Sequence, residues 1–301
     1  MIFSVLLIFF GSLFSGWVIA LILKKLDVVD RPDNLRKLHK KPTPPAGGIV
    51  LFILFLYLQT FYSFITLNKF SFYALVVLFL IGFLDDIIEL AVLLKLIAQL
   101  LFALVLSLEN INGILSLILS VLFYVSFINS VNFIDNSSGV CLSFLMFAFL
   151  FIYTFTFNEI FFYYLIAVIA LLILNLPYEK LFLGNSGTYF TGGFLIVVVN
   201  EFLGKTLNVN NNYLYSVLDT GKNLFFLFTP FIDFFVTIVR RMYRGYPIYK
   251  GDNRHLSFIL EKFFKSKEIA LVFWVLFLYC ILLANIIFIK DNIPYIYSSS
   301  K

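Results

Sequence analysis

Five short polar clusters interrupt an otherwise apolar chain, and their residue types are those of phosphate and metal chemistry. The most concentrated is Asp85-Asp86, inside GFLDDIIEL, where the apolar run 70–84 meets two adjacent carboxylates. Neighbouring Asp residues at the end of a membrane-length helix repel each other and sit at the negative pole of its dipole. A positive partner should offset them, such as a divalent metal or a cluster of Lys and Arg; the plain alternative is a solvated acidic helix end. Lys95, nine residues after Asp86, is within reach of the interface by snorkelling and has the charge to neutralise a phosphate. Asn129, Asn132 and Asp135 follow at spacings of three, so the two amides share a helix face. Asn offers donor and acceptor together, which suits a nucleobase or a sugar. Ending a membrane span with two amides and a carboxylate costs several kcal/mol unless they are solvated or bound, with a wet helix end as the bland reading.

The remaining clusters are basic or small. Arg36, Lys37, His39, Lys40 and Lys41 precede a rigid Pro42, Pro44, Pro45, Gly47, Gly48 stretch, a setting that can hold phosphates. Topogenic charge and lipid headgroup contact explain a single Lys there equally simply. Gly184-Asn185-Ser186-Gly187 forms a polar turn before an apolar run, and Asp252 and His255 close the series. Asp233 lies within an apolar run; its expected role is structural, with Arg240 or Arg241 as partner.

These side chains must be positioned by membrane helices. The chain has 301 residues, 61% hydrophobic and 13% charged, with a mean hydropathy of +0.99. That composition excludes a soluble domain and predicts an all-α, polytopic integral membrane helical bundle forming a single domain over 1–301. About ten transmembrane helices are expected, at 2–23, 47–66, 70–84, 91–108, 111–129, 139–157, 160–176, 187–203, 222–239 and 268–289. Forty Phe against three Met suggest a lipid-facing surface. Cys141 and Cys280 fall in apolar runs without metal spacing and read as core or lipid-facing. The first apolar run lacks a basic leader and reads as a helix, not as a cleavable signal.

Alternate loops differ in charge. One set, 24–46, 85–90, 130–138, 177–186 and 240–267, carries sixteen Lys and Arg; the other loops and both tails carry five. The positive-inside rule puts the basic set in the cytoplasm and both termini outside. The net charge of +5 follows this topology and gives no reason to expect nucleic acid. All five clusters then fall on the cytoplasmic side, building one site over the bundle. A transporter would instead place its polar site near the midplane.

In this order the motifs resemble the polyprenyl-phosphate N-acetylhexosamine-1-phosphate transferases, the MraY/WecA-type family (glycosyltransferase family 4). The resemblance runs from Asp30 to about Leu260. It rests on Asp30-x-Pro32 with Arg36, Lys37 and His39, on Asp85-Asp86 with Lys95 and Gln99, and on Asn129, Asn132 and Asp135. Phe182-x-Gly184-x-x-Gly187, Pro230-x-x-Asp233, Arg240-Arg241, Asp252 and His255 complete it. It implies a bacterial inner-membrane enzyme, with ten or eleven membrane helices, that moves a sugar-1-phosphate from a UDP-sugar to polyprenyl (undecaprenyl) phosphate. UMP would be released, and the transfer would initiate a cell-envelope glycan. It also implies Mg²⁺, with Mn²⁺ as the alternative, at Asp85, Asp86 and Asn185; catalysis by Asp85, Asp86 and Asp135; and substrate contacts from Arg36, His39, Lys95, Asn129, Asn132 and His255. Expected partners are the UDP-sugar, the polyprenyl phosphate and the bilayer, with a homodimer left open. Three positions depart from the family pattern: Ser138 and Asn185 stand where relatives carry Asp, and Phe258 where they carry His. Neutral residues at 138 and 185 predict weakened metal binding. They also define the alternative reading, a homologue with weakened or no catalysis that binds nucleotide-sugar or lipid phosphate.

Overall fold

The computed structural model describes residues 2–32, 41–62, 69–108, 113–176, 179–203, 227, 229–245 and 255–292. Every regular element among them is a helix. In chain order these are α1 (Ile2–Lys25), α2 (Gly47–Tyr62), α3 (Lys69–Ile88), α4 (Val92–Leu108), α5 (Ile114–Ile134), α6 (Val140–Thr156), α7 (Glu159–Asn175), α8 (Gly184–Val198), α9 (Thr229–Tyr243), α10 (Leu256–Phe264) and α11 (Lys267–Asn292). A π-helical turn, Val199–Leu203, continues α8. Among the described residues each expected span overlaps a helix. Four of them, within α1, α3, α5 and α11, are long and apolar enough to cross a bilayer, and α2, α4, α6 and α7 are shorter apolar helices. The protein is a multi-pass membrane helical bundle.

Two boundaries differ from the sequence expectation in ways that matter for the site. Helix α3 runs through Asp85 and Asp86 to Ile88, so the acidic pair lies in its last turn and not beyond it. Helix α5 runs to Ile134, which places Asn129 and Asn132 on the helix and Asp135 at its C-cap. The expected loop 240–267 contains the amphipathic helix α10, which packs on α11.

Helix α8 is the centre of the bundle. It is buried from Ser186 to Val198 and packs on α2, α3 and α5, with α3 its most extensive partner. The reason is its composition. Gly187, Gly192 and Gly193 let neighbouring backbones approach, the usual route to tight helix pairs in lipid. A Cβ on Gly48 of α2 would stand 2.2 Å from the Gly187 nitrogen, and one on Gly82 of α3 would stand 2.6 Å from the Asn185 carbonyl oxygen. An aromatic layer fills the space above: the Phe52 and Phe79 rings stack at 3.8 Å, and Phe190 meets Phe52 edge-on at 5.3 Å. Phe therefore serves both surfaces, with Phe55, Phe144, Phe149, Phe161, Phe190 and Phe194 fully buried and Phe3, Phe10 and Phe14 facing outward. Cys141 is buried and Cys280 exposed.

Hydrogen bonds strap the start of α2 to the approach to α8. Gly47 N–H donates to the Phe182 carbonyl, Gly48 N–H to Leu183, and Phe182 N–H to Pro44, each at 2.9 Å. The Asn175 amide donates to the Leu181 carbonyl from the end of α7. The approach to Gly184 is thereby fixed against the start of α2 and the end of α7.

Candidate active site

The acidic pair finds two different positive partners. The Asp85 side chain is 1% exposed; its Oδ1 pairs with Lys95 Nζ at 2.7 Å and accepts the Leu90 N–H at 2.8 Å. Its Oδ2 is buried and has no hydrogen-bond partner among the described residues. Asp86 turns the other way, onto the N-terminus of α8. Asn185 N–H donates to Oδ1 at 2.7 Å, and the Ser186 N–H and hydroxyl donate to Oδ2 at 3.0 and 2.7 Å. One helix's negative end thus meets another's positive end, with a carboxylate between them. Gly184 makes this possible: its φ of +80° suits a residue without Cβ, and a Cβ there would stand 2.8 Å from Asp86 Oδ2.

Asp135 completes the group. It is half-buried, accepts the Gly184 N–H and lies within the field of Asp86. Burial first, and the Asp86 charge second, push its carboxyl well above the usual carboxylate range. Asn132 donates to Asn185 Oδ1 at 2.9 Å and to Thr188 Oγ1 at 2.8 Å. Asn129 instead pairs with Gln99, donating at 2.6 Å, and with the Val125 carbonyl at 2.8 Å. The structure therefore gathers Asp85, Asp86, Asp135, Asn132, Asn185 and Lys95 where α3 and α5 end and α4 and α8 begin.

His255, at the start of α10, faces Asp233 of α9: Nδ1 stands 3.0 Å from Oδ2, and Asp233 Oδ1 accepts the Leu256 N–H at 2.7 Å. The partner seen for Asp233 is thus His255, where the sequence pointed to Arg240 or Arg241; the turn into α10 brings the ring back over α9. Arg241 stacks on Phe133, its guanidinium carbon 5.3 Å from the ring centroid. Arg36, His39 and Asp252 lie outside the described residues.

Sequence reasoning passed over Ser186 and Thr188, which hold Asp86 and Asn132, and Glu179, Glu261 and Lys267, which surround the turn after Asp135. The signal for Ser186 was present, since a Gly-Asn-Ser-Gly turn opening a helix is a ready anion cradle; its occupant here is a side chain of the same protein.

Among the described residues no three Asp, Glu, His or Cys side chains form a metal-holding group. The donor set still fits Mg²⁺, an ion that binds through one or two carboxylates and takes its other ligands from water and substrate phosphates. The open, buried Asp85 Oδ2 is such a carboxylate oxygen, and Asp135 stands near the same corner.

A polar, acidic corner where helix ends meet in a multi-pass bundle can seat a charged group of a membrane-bound molecule. Residues 67–202, from the start of α3 through α8, match the family model described as Glycosyl transferase family 4. The chain is also 26% identical over 257 residues to the undecaprenyl-phosphate alpha-N-acetylglucosaminyl 1-phosphate transferase of Thermotoga maritima, covering 83% of this chain and 79% of that protein. Residues 67–202 are thus similar to glycosyl transferase family 4, and the chain as a whole is similar to a glycosyl-1-phosphate transferase.

Proposed function

We propose that this protein transfers N-acetylhexosamine-1-phosphate from a UDP-sugar to undecaprenyl phosphate at the cytoplasmic face of the bacterial inner membrane. UMP is released and a cell-envelope glycan begins. The observation that carries this reading is the convergence of Asp85, Asp86 and Asp135 with Asn132 and Asn185 at one end of an apolar bundle. The Thermotoga maritima relative, whose name states an undecaprenyl-phosphate acceptor and an N-acetylglucosaminyl 1-phosphate group, supports the choice of substrates. The excess of Lys and Arg in the loops that carry these residues supports the cytoplasmic placement.

In the reaction an oxygen of the lipid phosphate forms a bond to the sugar-bearing phosphorus. The bond from that phosphorus to the bridging diphosphate oxygen breaks, and UMP leaves with its electron pair. Asp85 Oδ2 is the carboxylate oxygen left open for a metal, Lys95 keeps the Asp85 carboxylate in place, and the lipid phosphate, whose second pKa is about 6, attacks in its ionised form. Asp86 holds the α8 N-terminus in position, so that Asn185 and Asn132 form one rigid amide pair facing the nucleotide-sugar. Asp85 and Asp135 would hold Mg²⁺, which would supply charge neutralisation for the diphosphate.

Purified protein in nanodiscs, given UDP-N-acetylglucosamine or UDP-N-acetylgalactosamine with undecaprenyl phosphate and Mg²⁺, should form lipid-linked sugar and UMP in equal amounts. The proposal fails if no UDP-sugar yields both products under conditions in which the Thermotoga maritima relative turns over. The neutral Ser138 and Asn185 favour a second reading, a homologue that binds its substrates and turns over weakly or not at all. It predicts that UDP-N-acetylglucosamine raises the thermal midpoint in that same failing assay.

A further inference from the structure

The turn after α5, Asp135-Asn136-Ser137-Ser138-Gly139, is gripped from the side away from the acidic pair. Asn136 Oδ1 accepts the Ser257 hydroxyl, and the Ser137 hydroxyl donates to Glu261 Oε1, both at 2.5 Å, so α10 holds the middle of the turn. Ser138 is 3% exposed and sits between two charges. Its hydroxyl donates to Glu179 Oε1 at 2.9 Å and accepts from Lys267 Nζ at 3.0 Å, while Lys267 and Glu179 pair directly. Glu179 lies on the strap that leads to Gly184, and Lys267 opens α11. A single hydroxyl therefore ties the turn carrying Asp135, the approach to α8 and the start of α11.

We propose that Ser138, Glu179 and Lys267 form a clasp that positions Asp135 against Gly184, and that this clasp requires an uncharged donor at 138. The carboxylate of this corner is supplied by Glu179 from another segment, so Ser138 is the fitted partner of an ion pair and not a vacant ligand position. The hydroxyl meets both neighbours through one atom, giving a proton to the carboxylate and a lone pair to the ammonium. A carboxylate at 138 would face Glu179 at hydrogen-bond distance in a largely buried setting and compete with it for Lys267. The repulsion would open the turn three residues from Asp135. The clasp makes no contact with the reacting atoms, so its three members are positioning residues. Their effect on turnover rests on the transferase reading above; their effect on the fold does not.

The test is a charge-relocation cycle on the full chain in nanodiscs: Ser138→Asp, Glu179→Gln and the double variant Ser138→Asp/Glu179→Gln. Turnover of UDP-N-acetylglucosamine with undecaprenyl phosphate is followed against Mg²⁺ concentration, and thermal midpoints are recorded without substrate. Ser138→Asp should cut kcat by about tenfold or more at saturating Mg²⁺, leave the Mg²⁺ requirement undiminished and lower the midpoint. The double variant restores one carboxylate against Lys267, and should recover kcat to within about threefold of wild type and regain the midpoint. The clasp is overturned if Ser138→Asp alone works at lower Mg²⁺ or turns over faster, or if the double variant recovers neither quantity. Should wild type transfer no sugar from any UDP-sugar, the functional reading fails and the midpoints alone decide. A double variant more stable than Ser138→Asp upholds the clasp, and equal midpoints for the two refute it.

Discussion

Replacing Lys95 with Met isolates the electrostatics of the acidic pair. Met keeps the length and apolar stem of Lys but leaves the Asp85 carboxylate, 1% exposed, without its cation. With the Nζ–Oδ1 contact at 2.7 Å and charge centres about 3.5 Å apart, an effective dielectric near 20 gives about 4–5 kcal/mol of attraction. Lys95 is 25% exposed, so solvent screens part of this, and a loss of about 3 kcal/mol is the working figure. For a chain of this size that corresponds to a fall of about 6–9 °C in the thermal midpoint. Lys95→Met/Asp85→Asn removes both charges, and the Asn side-chain oxygen still accepts the Leu90 N–H. It should regain most of the lost stability while remaining inactive. Differential scanning fluorimetry in nanodiscs at low salt, beside the transfer assay, reads both quantities. A Lys95→Met protein that melts like wild type, or a double variant as unstable as the single one, would refute the reasoning. Mg²⁺ should raise the Lys95→Met midpoint more than that of the double variant, because only the former offers a carboxylate at 85.

Asp86→Asn should lose activity and about 3 kcal/mol of stability, because its amide donor would confront the Ser186 N–H and hydroxyl donors; scanning fluorimetry and the transfer assay check both. Asp135→Asn should abolish transfer yet raise the substrate-free midpoint at neutral pH. The folded-state pKa of Asp135 is raised, so its contribution to stability is greatest below the ordinary carboxylate range and is lost as pH climbs through the raised value. The two midpoints should converge near pH 4, the ordinary carboxylate range, and a variant less stable than wild type at pH 7 would contradict the assignment. Gly48→Ala should cost about 3 kcal/mol or prevent expression, since its Cβ would lie 2.2 Å from the Gly187 nitrogen and force α2 off α8; expression level and midpoint read it.

Much of the molecule follows from the order of residues alone. Apolar runs of membrane length can only be helices, because in lipid each backbone N–H and C=O must be satisfied within its own segment. That local rule located the spans, and the clustering of Asp85, Asp86, Asn132, Asp135 and Asn185 around them marked the site. Which group answers each charge was not local. Asp86 meets Asn185 and Ser186, about a hundred residues away, only because Gly82 lets α3 press on the start of α8. Ser138 read as a missing carboxylate from its place in a motif, and the fold set it between Glu179 and Lys267, each more than forty residues from it in the chain. The Asp233 carboxylate reached His255 and not the arginines about two helix turns beyond it, because the chain doubles back into α10. Hydropathy is a property of a segment and can be summed along it. The partner of a buried charge depends on which backbones approach, and in this bundle a few glycines on α2, α3 and α8 decide that.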